Sequence, residues 1–216
     1  MKDILRVGDG RYGMICVIDY GAGNLRNVCG ALGYLGAECI ISGEPEDIRK
    51  ADKVILPGVG SFGDAMETLE RMNLVDAIRE AAFSGKPFMG ICLGMQLMFE
   101  ASEEAPGVSG LGIFKGTFRK FKEDRAKDIK VPQIGWNSLD EAKGFFEEFK
   151  GKYVYFVHSY YLPKNEIEKE EYIGALTDYG ERYVCAVAKD NIIACQFHPE
   201  KSGEDGLRML KKFVDM

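Results

Sequence analysis

The sequence predicts an α/β fold: one domain built on a mixed central sheet, parallel in its first half and antiparallel in its second, flanked by helices. Three observations lead there. Short apolar runs alternate with helix-like stretches over the first hundred residues, as strand–helix–strand crossovers require. From about residue 101 the chain turns to closely spaced strand-like runs joined by turn signals. At 216 residues, with 46% hydrophobic and 29% charged residues, it is long enough for one large domain.

Residues 1–13 read as an extension ahead of a domain spanning 14–216, because the first clear strand is Met14–Asp19, apolar almost throughout. A parallel strand covered on both faces has that composition. The glycine turn Tyr20–Asn24 leads into a helical stretch over 25–35. Its Gly21 and Gly23 are followed by Arg26, so the G-x-G-x-x-G spacing of a dinucleotide site is absent. Strands follow at Glu38–Ile41 and Lys53–Leu56. After the latter come the turn Pro57–Gly60 and a helix-like segment running to about Phe83. Strand-like runs then cover 116–122, 131–139, 152–162, 172–178, 183–188 and 192–197, with hairpin connections at Asp178–Glu181 and Lys189–Asn191. Lys120–Lys130 is charged and reads as a solvated loop, and Asp205–Val214 as an amphipathic helix.

Composition narrows the function. A net charge of −6 argues against a nucleic-acid footprint. No apolar run reaches the roughly 18 residues of a membrane span, and the charged N-terminus lacks the apolar core of a secretory signal. Six cysteines are scattered without C-x-x-C spacing, which disfavours a zinc site or a redox dithiol and fits thiols in a reducing cytoplasm. Only His158 and His198 are available as imidazole bases.

The chemistry centres on Lys86–Glu100, which opens as a strand and closes with helical periodicity. Between them stands Gly90-Ile91-Cys92-Leu93-Gly94, the G-x-S-x-G nucleophile elbow with sulfur in place of oxygen. The turn is tight enough that the positions two before and two after the nucleophile should nearly touch, which suits glycine. Cys92 then sits at a helix N-terminus, whose dipole and free N–H groups favour an anion. Taken alone, the motif is explained slightly better by a buried cysteine between packing glycines.

The second half of the chemistry lies near the C-terminus, in Gln196-Phe197-His198-Pro199-Glu200. Proline pushes His198 toward an extended conformation, in which residues i and i+2 face the same way. Glu200 can then accept from one ring nitrogen and leave the other as a base. Cys92, His198 and Glu200 supply a nucleophile, a base and an orienter. An attacked acyl group needs oxyanion donors, for which the Leu93 N–H and the Gly58–Gly60 loop are placed if their strands are neighbours. The residues alone predict a cysteine amidase or acyl transferase.

The Gly-Ile-Cys-Leu-Gly-Met-Gln and Gln-Phe-His-Pro-Glu-Lys-Ser motifs resemble those of the class I (triad) glutamine amidotransferases. Asp19–Leu25, Leu56–Ala65, Gly135-Trp136-Asn137 and Tyr155–Tyr160 are similar to the glutaminase subunits of imidazole glycerol phosphate synthases, in order from Met14 onward. The resemblance implies that Cys92 forms a glutamyl thioester from L-glutamine with His198 and Glu200 as partners, without a cofactor or metal. It implies that Gln96 binds the glutamine, helped by Glu104 and by backbone near Ser159 and Tyr160, with Gly58 and Gly60 on the oxyanion side. Ammonia would pass to a (β/α)8-barrel cyclase subunit of a heterodimer, which makes imidazole glycerol phosphate and aminoimidazole carboxamide ribotide in histidine biosynthesis. Asn24, Trp136, Tyr155 and Lys201 match positions on or near the cyclase-facing surface; core packing is the alternative for Trp136 and Tyr155. Where the family often has histidine before Gly-Trp-Asn, this chain has Gln133-Ile134. The alternatives are a related glutaminase serving a surface-sugar or pyridoxal phosphate synthase, and a non-catalytic scaffold, which would be expected to lack a triad member.

Overall fold

The computed structural model describes residues 4–5, 12–124, 126 and 129–216. The parallel half contains β2 (Ile15–Ile18), α1 (Leu25–Tyr34), β3 (Cys39–Ser42), α2 (Pro45–Lys50), β4 (Lys53–Gly58), α3 (Phe62–Arg71), α4 (Val75–Phe83) and β5 (Phe88–Cys92). Ahead of it, β1 (Ile4–Leu5) pairs antiparallel with β3; the rest of 1–11 lies outside the described residues. After β5 come α5 (Leu93–Leu97), β6 (Ala101–Ser102), β7 (Thr117–Lys120), β8 (Gln133–Ser138), β9 (Glu141–Ala142), β10 (Tyr153–His158), β11 (Tyr160–Pro163), β12 (Ile173–Asp178), β13 (Arg182–Lys189), β14 (Ile192–Cys195) and α6 (Gly203–Val214).

The large sheet runs β1-β3-β2-β4-β5-β14-β13-β11-β7-β6, with β12 also on β13 and β9 on β12. β3, β2, β4, β5 and β14 are mutually parallel, and β13, β11 and β12 continue antiparallel. Side chains of a strand alternate between faces, and here each face has its own core. Cys16, Ile18, Val54 and Leu56 pack with α3 and α4, whereas Ile15, Val17 and Ile55 pack with α1 and α6. α6 buries Gly206, Met209, Leu210, Phe213 and Val214 at helical spacing.

Several boundaries differ from the sequence reading, each for a local reason. The helical stretch after residue 60 is two helices, broken near Asn73, which takes a positive φ of 55° that asparagine tolerates better than most residues. Helix α2 escapes a periodicity search because it is only six residues long, although Pro45 at its first turn marks it. Pro57 and Gly58 extend β4 instead of turning out of it. The elbow helix ends at Leu97, and Ala101–Ser102 is already strand. Residues 152–162 form two strands in different sheets: β10 pairs with β8 in a separate two-stranded ribbon, while β11 joins the large sheet. Within Lys120–Lys130, Asp124 and Ile129 form a β-bridge; residues 125, 127 and 128 lie outside the described set. Among the described residues no helix is long and apolar enough to cross a membrane.

Candidate active site

Parallel pairing of β4 with β5 places Gly58 opposite Cys92, so the two carboxyl-end loops are neighbours. Cys92 takes φ 55°, ψ −112°, a conformation L-residues rarely adopt and one that persists only where surrounding structure enforces it. The enforcing contacts differ from the close approach of the two glycines expected above. A Cβ at Gly94 would stand 1.8 Å from the Leu56 carbonyl oxygen of β4, and one at Gly90 would stand 2.5 Å from Met98 Sδ. The glycines clear the neighbouring strand and the returning chain, not each other.

His198 and Glu200 reach the same place from the other side of the sheet's centre, just past β14. His198 is extended (ψ 96°), as the following proline dictates, but Pro199–Lys201 then forms a 3-10 turn instead of continuing extended. The pairing survives the change: Nδ1 lies 2.8 Å from Glu200 Oε1, with both side chains almost fully buried. The ribbon holds this segment, since His198 N–H donates to the Tyr155 carbonyl and Ser202 Oγ bridges the His198 carbonyl and the Tyr155 N–H. Among the described residues His198 Nε2 is buried without a hydrogen-bond partner. Burial pulls the imidazole pKa down, but Cys92 and Glu200 beside it outweigh that and raise it to about 10. The ring is therefore an imidazolium at neutral pH.

A cavity of about 310 Å³ opens beside Cys92, lined by Gly60, Leu93, Gln96, Glu104, Ser159 and Tyr160 together with Val59, Pro132, Val157 and His158. Six of the seven residues expected to bind substrate line it. The seventh, Gly58, lies behind the wall, where a Cβ would meet Tyr20 Oη at 2.4 Å and Leu93 Cβ at 2.9 Å. Glu104 Oε2 accepts from the Phe62 N–H that opens α3, which fixes the carboxylate and leaves Oε1 for a ligand.

Of the expected interface residues, Trp136 and Tyr155 are a cross-strand pair on the ribbon, with ring centroids 6.1 Å apart, and Lys201 Nζ lies 5.8 Å over the Tyr155 ring. Trp136 is 55% exposed and its neighbour Ile134 62% exposed, so core packing does not account for Trp136. Asn24 precedes α1, which packs near the Pro199–Lys201 turn.

Three polar residues have roles that the sequence reading did not assign. Gln196 is wholly buried; its Nε2 donates to Cys92 Sγ at 3.6 Å and its Oε1 accepts from Gln96 Nε2 at 3.0 Å. Its position two before His198, on the same side of an extended segment, was the available signal. His158 is fully buried and its pKa is lowered to about 4, chiefly by burial, with the His198 charge adding to the effect. Being neutral, it donates from Nδ1 to the Tyr160 carbonyl at 2.8 Å, and its Nε2 lies 3.1 Å from the Tyr183 hydroxyl, which donates its proton to Gln133 Oε1. Gln133, at the departure from the family pattern, lies 2.8 Å from that hydroxyl. It belongs to the interior wiring behind the pocket and not to the surface.

Comparison with known proteins shows the family. The family model described as glutamine amidotransferase class-I matches residues 16–216. The chain is 48% identical over 203 residues, covering 93% of each, to a protein of Bacillus cereus (strain G9842) named imidazole glycerol phosphate synthase subunit HisH. It is 45% identical over 207 residues to the imidazole glycerol phosphate synthase hisHF of Schizosaccharomyces pombe, covering 93% of this chain and 38% of that one. Among solved structures, PurLQS from Thermotoga maritima superposes with a TM-score of 0.71 at 20% identity, over 94% of this chain and 97% of that one, a likeness of fold. A strained cysteine elbow, a buried histidine–carboxylate pair beside it and a family match over nearly the whole length give one conclusion: this chain belongs to the class-I glutamine amidotransferases.

Proposed function

We propose that the chain is the glutaminase subunit of an imidazole glycerol phosphate synthase, hydrolysing L-glutamine to glutamate and ammonia for use by a cyclase partner in histidine biosynthesis. The observation that carries the reading is the buried His198–Glu200 pair beside Cys92, with Nε2 left free on the sulfur side. The cavity is at the small end of ligand sites, in keeping with a single amino acid. Glu104 and the Ser159–Tyr160 backbone supply acceptors and donors for the ammonium and carboxylate ends of glutamine.

In this mechanism the Cys92 sulfur attacks the side-chain amide carbon, and the oxyanion is met by the Leu93 N–H and the Val59–Gly60 segment that lines the cavity. His198, already charged, gives its Nε2 proton to the departing nitrogen, so ammonia leaves as the C–N bond breaks and a thioester remains. The now neutral ring takes a proton from water, which attacks the thioester; glutamate leaves, and the sulfur and imidazolium are restored. Glu200 keeps the ring oriented throughout.

The partner is a (β/α)8-barrel cyclase that docks on the ribbon face carrying Trp136, Tyr155 and Lys201. Released ammonia is mostly ammonium at neutral pH, so hydrolysis uncoupled from an acceptor wastes glutamine. The test is glutamine hydrolysis by the chain alone and with the cyclase plus its nucleotide substrate. Turnover should be weak alone and rise by orders of magnitude with the liganded partner. Cys92→Ala should abolish glutamine-dependent synthesis and leave synthesis from ammonium salts intact. Equal hydrolysis by Cys92→Ala and the unaltered chain would overturn the reading.

A further inference from the structure

Gln196 is a polar, fully enclosed side chain tied directly to the nucleophile: it donates to Cys92 Sγ at 3.6 Å. It does not act alone. Gln96 Nε2 donates to Gln196 Oε1 at 3.0 Å, and the Gln196 backbone N–H donates to the Cys185 carbonyl at 2.8 Å, anchoring the residue to β13. A cavity-lining amide, a buried amide and the sulfur therefore form one chain of hydrogen bonds, running Gln96 to Gln196 to Cys92.

Such a chain has only two self-consistent orientations, because an amide has donors at one end and acceptors at the other. In the first, Gln96 donates to Gln196 and Gln196 donates to the sulfur, which suits a sulfur carrying negative charge. In the second, both amides are reversed and the thiol S–H would have to donate to Gln196, but the thiol already has an acceptor in the Val157 carbonyl, 3.9 Å away, so the first orientation serves a protonated sulfur as well. Turning one amide without the other sets two donors or two acceptors face to face in a buried site, at a cost of the kind an unmade buried hydrogen bond carries. The two amides thus turn together, and the donor that Gln196 keeps on the sulfur decides which end of Gln96 the cavity meets: Gln96 keeps Oε1, an acceptor, for the ligand.

We propose that Gln196 is a positioning residue: by donating to the Cys92 sulfur it fixes the hydrogen-bonding face Gln96 offers the substrate, so that a donor to the sulfur and an acceptor for the amino group of the bound amino acid are set together. The inference rests on the active-site assignment above. Its test avoids glutamine, so that failure of one is distinct from failure of the other.

The rate of Cys92 alkylation by iodoacetamide is measured on the whole chain across pH, with Cys92→Ala as background for the five other cysteines. Variants are Gln196→Met, Gln96→Met and the double variant, each checked for an unchanged unfolding midpoint. Losing the donor in Gln196→Met should slow alkylation at neutral pH by about tenfold, the scale of one buried hydrogen bond to a charged group. Gln96→Met, which removes nothing that touches the sulfur, should also slow it several-fold. The double variant should be no slower than Gln196→Met, because a relay cut once is already cut. Unchanged alkylation in Gln196→Met, or single effects that multiply in the double variant, would overturn the proposal. If Gln196→Met does not fold, Gln96→Met decides by itself: an alkylation profile identical to that of the unaltered chain rejects the relay.

Discussion

His198 Nδ1 and Glu200 Oε1 are 2.8 Å apart across a single intervening proline, buried together, and the opposite ring nitrogen has no partner among the described residues. A carboxylate held this way fixes both the orientation and the charge of the ring. Glu200→Gln keeps the size and removes the charge. It should lower kcat for glutamine hydrolysis by roughly two to four orders of magnitude, with a much smaller effect on KM. The pH profile would move as well: the alkaline fall in activity, set by loss of the imidazolium proton near pH 10, should shift to lower pH. Steady-state kinetics from pH 6 to 10.5 checks both.

The two histidines place opposite limits on stability. His158 is neutral in the folded chain down to about pH 4, whereas an unfolded histidine charges near 6.5. Its contribution is present above about 6.5 and is lost as pH falls toward 4, amounting to roughly 3 kcal/mol over that window. His198, raised to about 10, works the other way: its contribution is complete below about 6.5 and is lost as pH rises through 10. Urea midpoints should therefore be highest near neutrality and fall on both sides, and His158→Gln should flatten only the acid limb.

Gly94→Ala should be among the most damaging single-methyl changes in the chain. The added Cβ would meet the Leu56 carbonyl at 1.8 Å, an oxygen fixed in the β4–β5 ladder, so β4 and the elbow must separate. A loss of about 3 kcal/mol or more is expected in urea unfolding, with hydrolysis abolished in whatever folds.

Trp136→Ala tests the ribbon face. Because the side chain is largely solvent-exposed, the free chain should change in stability by less than about 0.5 kcal/mol. Affinity for the cyclase should fall by about 2 kcal/mol, or roughly thirtyfold in Kd, as for an aromatic anchor at an interface centre. Calorimetric titration with the cyclase reads this directly. An unchanged Kd would exclude Trp136 from the interface.

The parallel half was legible because buried parallel strands leave unbroken apolar runs, as at Ile15–Ile18 and at residues 54–56. The reactive residues were legible because glycine and proline constrain backbone locally: Gly90 and Gly94 around Cys92, and Pro199 between His198 and Glu200. Partnership between sheets was not. Nothing in residues 152–162 marks Ser159 as the point where the chain leaves the ribbon for the main sheet; that division comes from which strands compete for each edge. Gln196 and His158 were passed over for a similar reason. A buried polar side chain is read from its partners, and those stand up to a hundred positions away, as Gln96 does from Gln196.

Strand β14 comes late in the chain, yet it seats in the middle of the sheet, between β5 and β13. While the polypeptide is still emerging from the ribosome, β5 therefore has a bare edge beside the sulfur, and the imidazole has not yet been made. Closing the sheet and arming the nucleophile are one event. A nascent or prematurely terminated product lacking this strand is inert toward glutamine, and its open edge leaves it prone to pair with other chains.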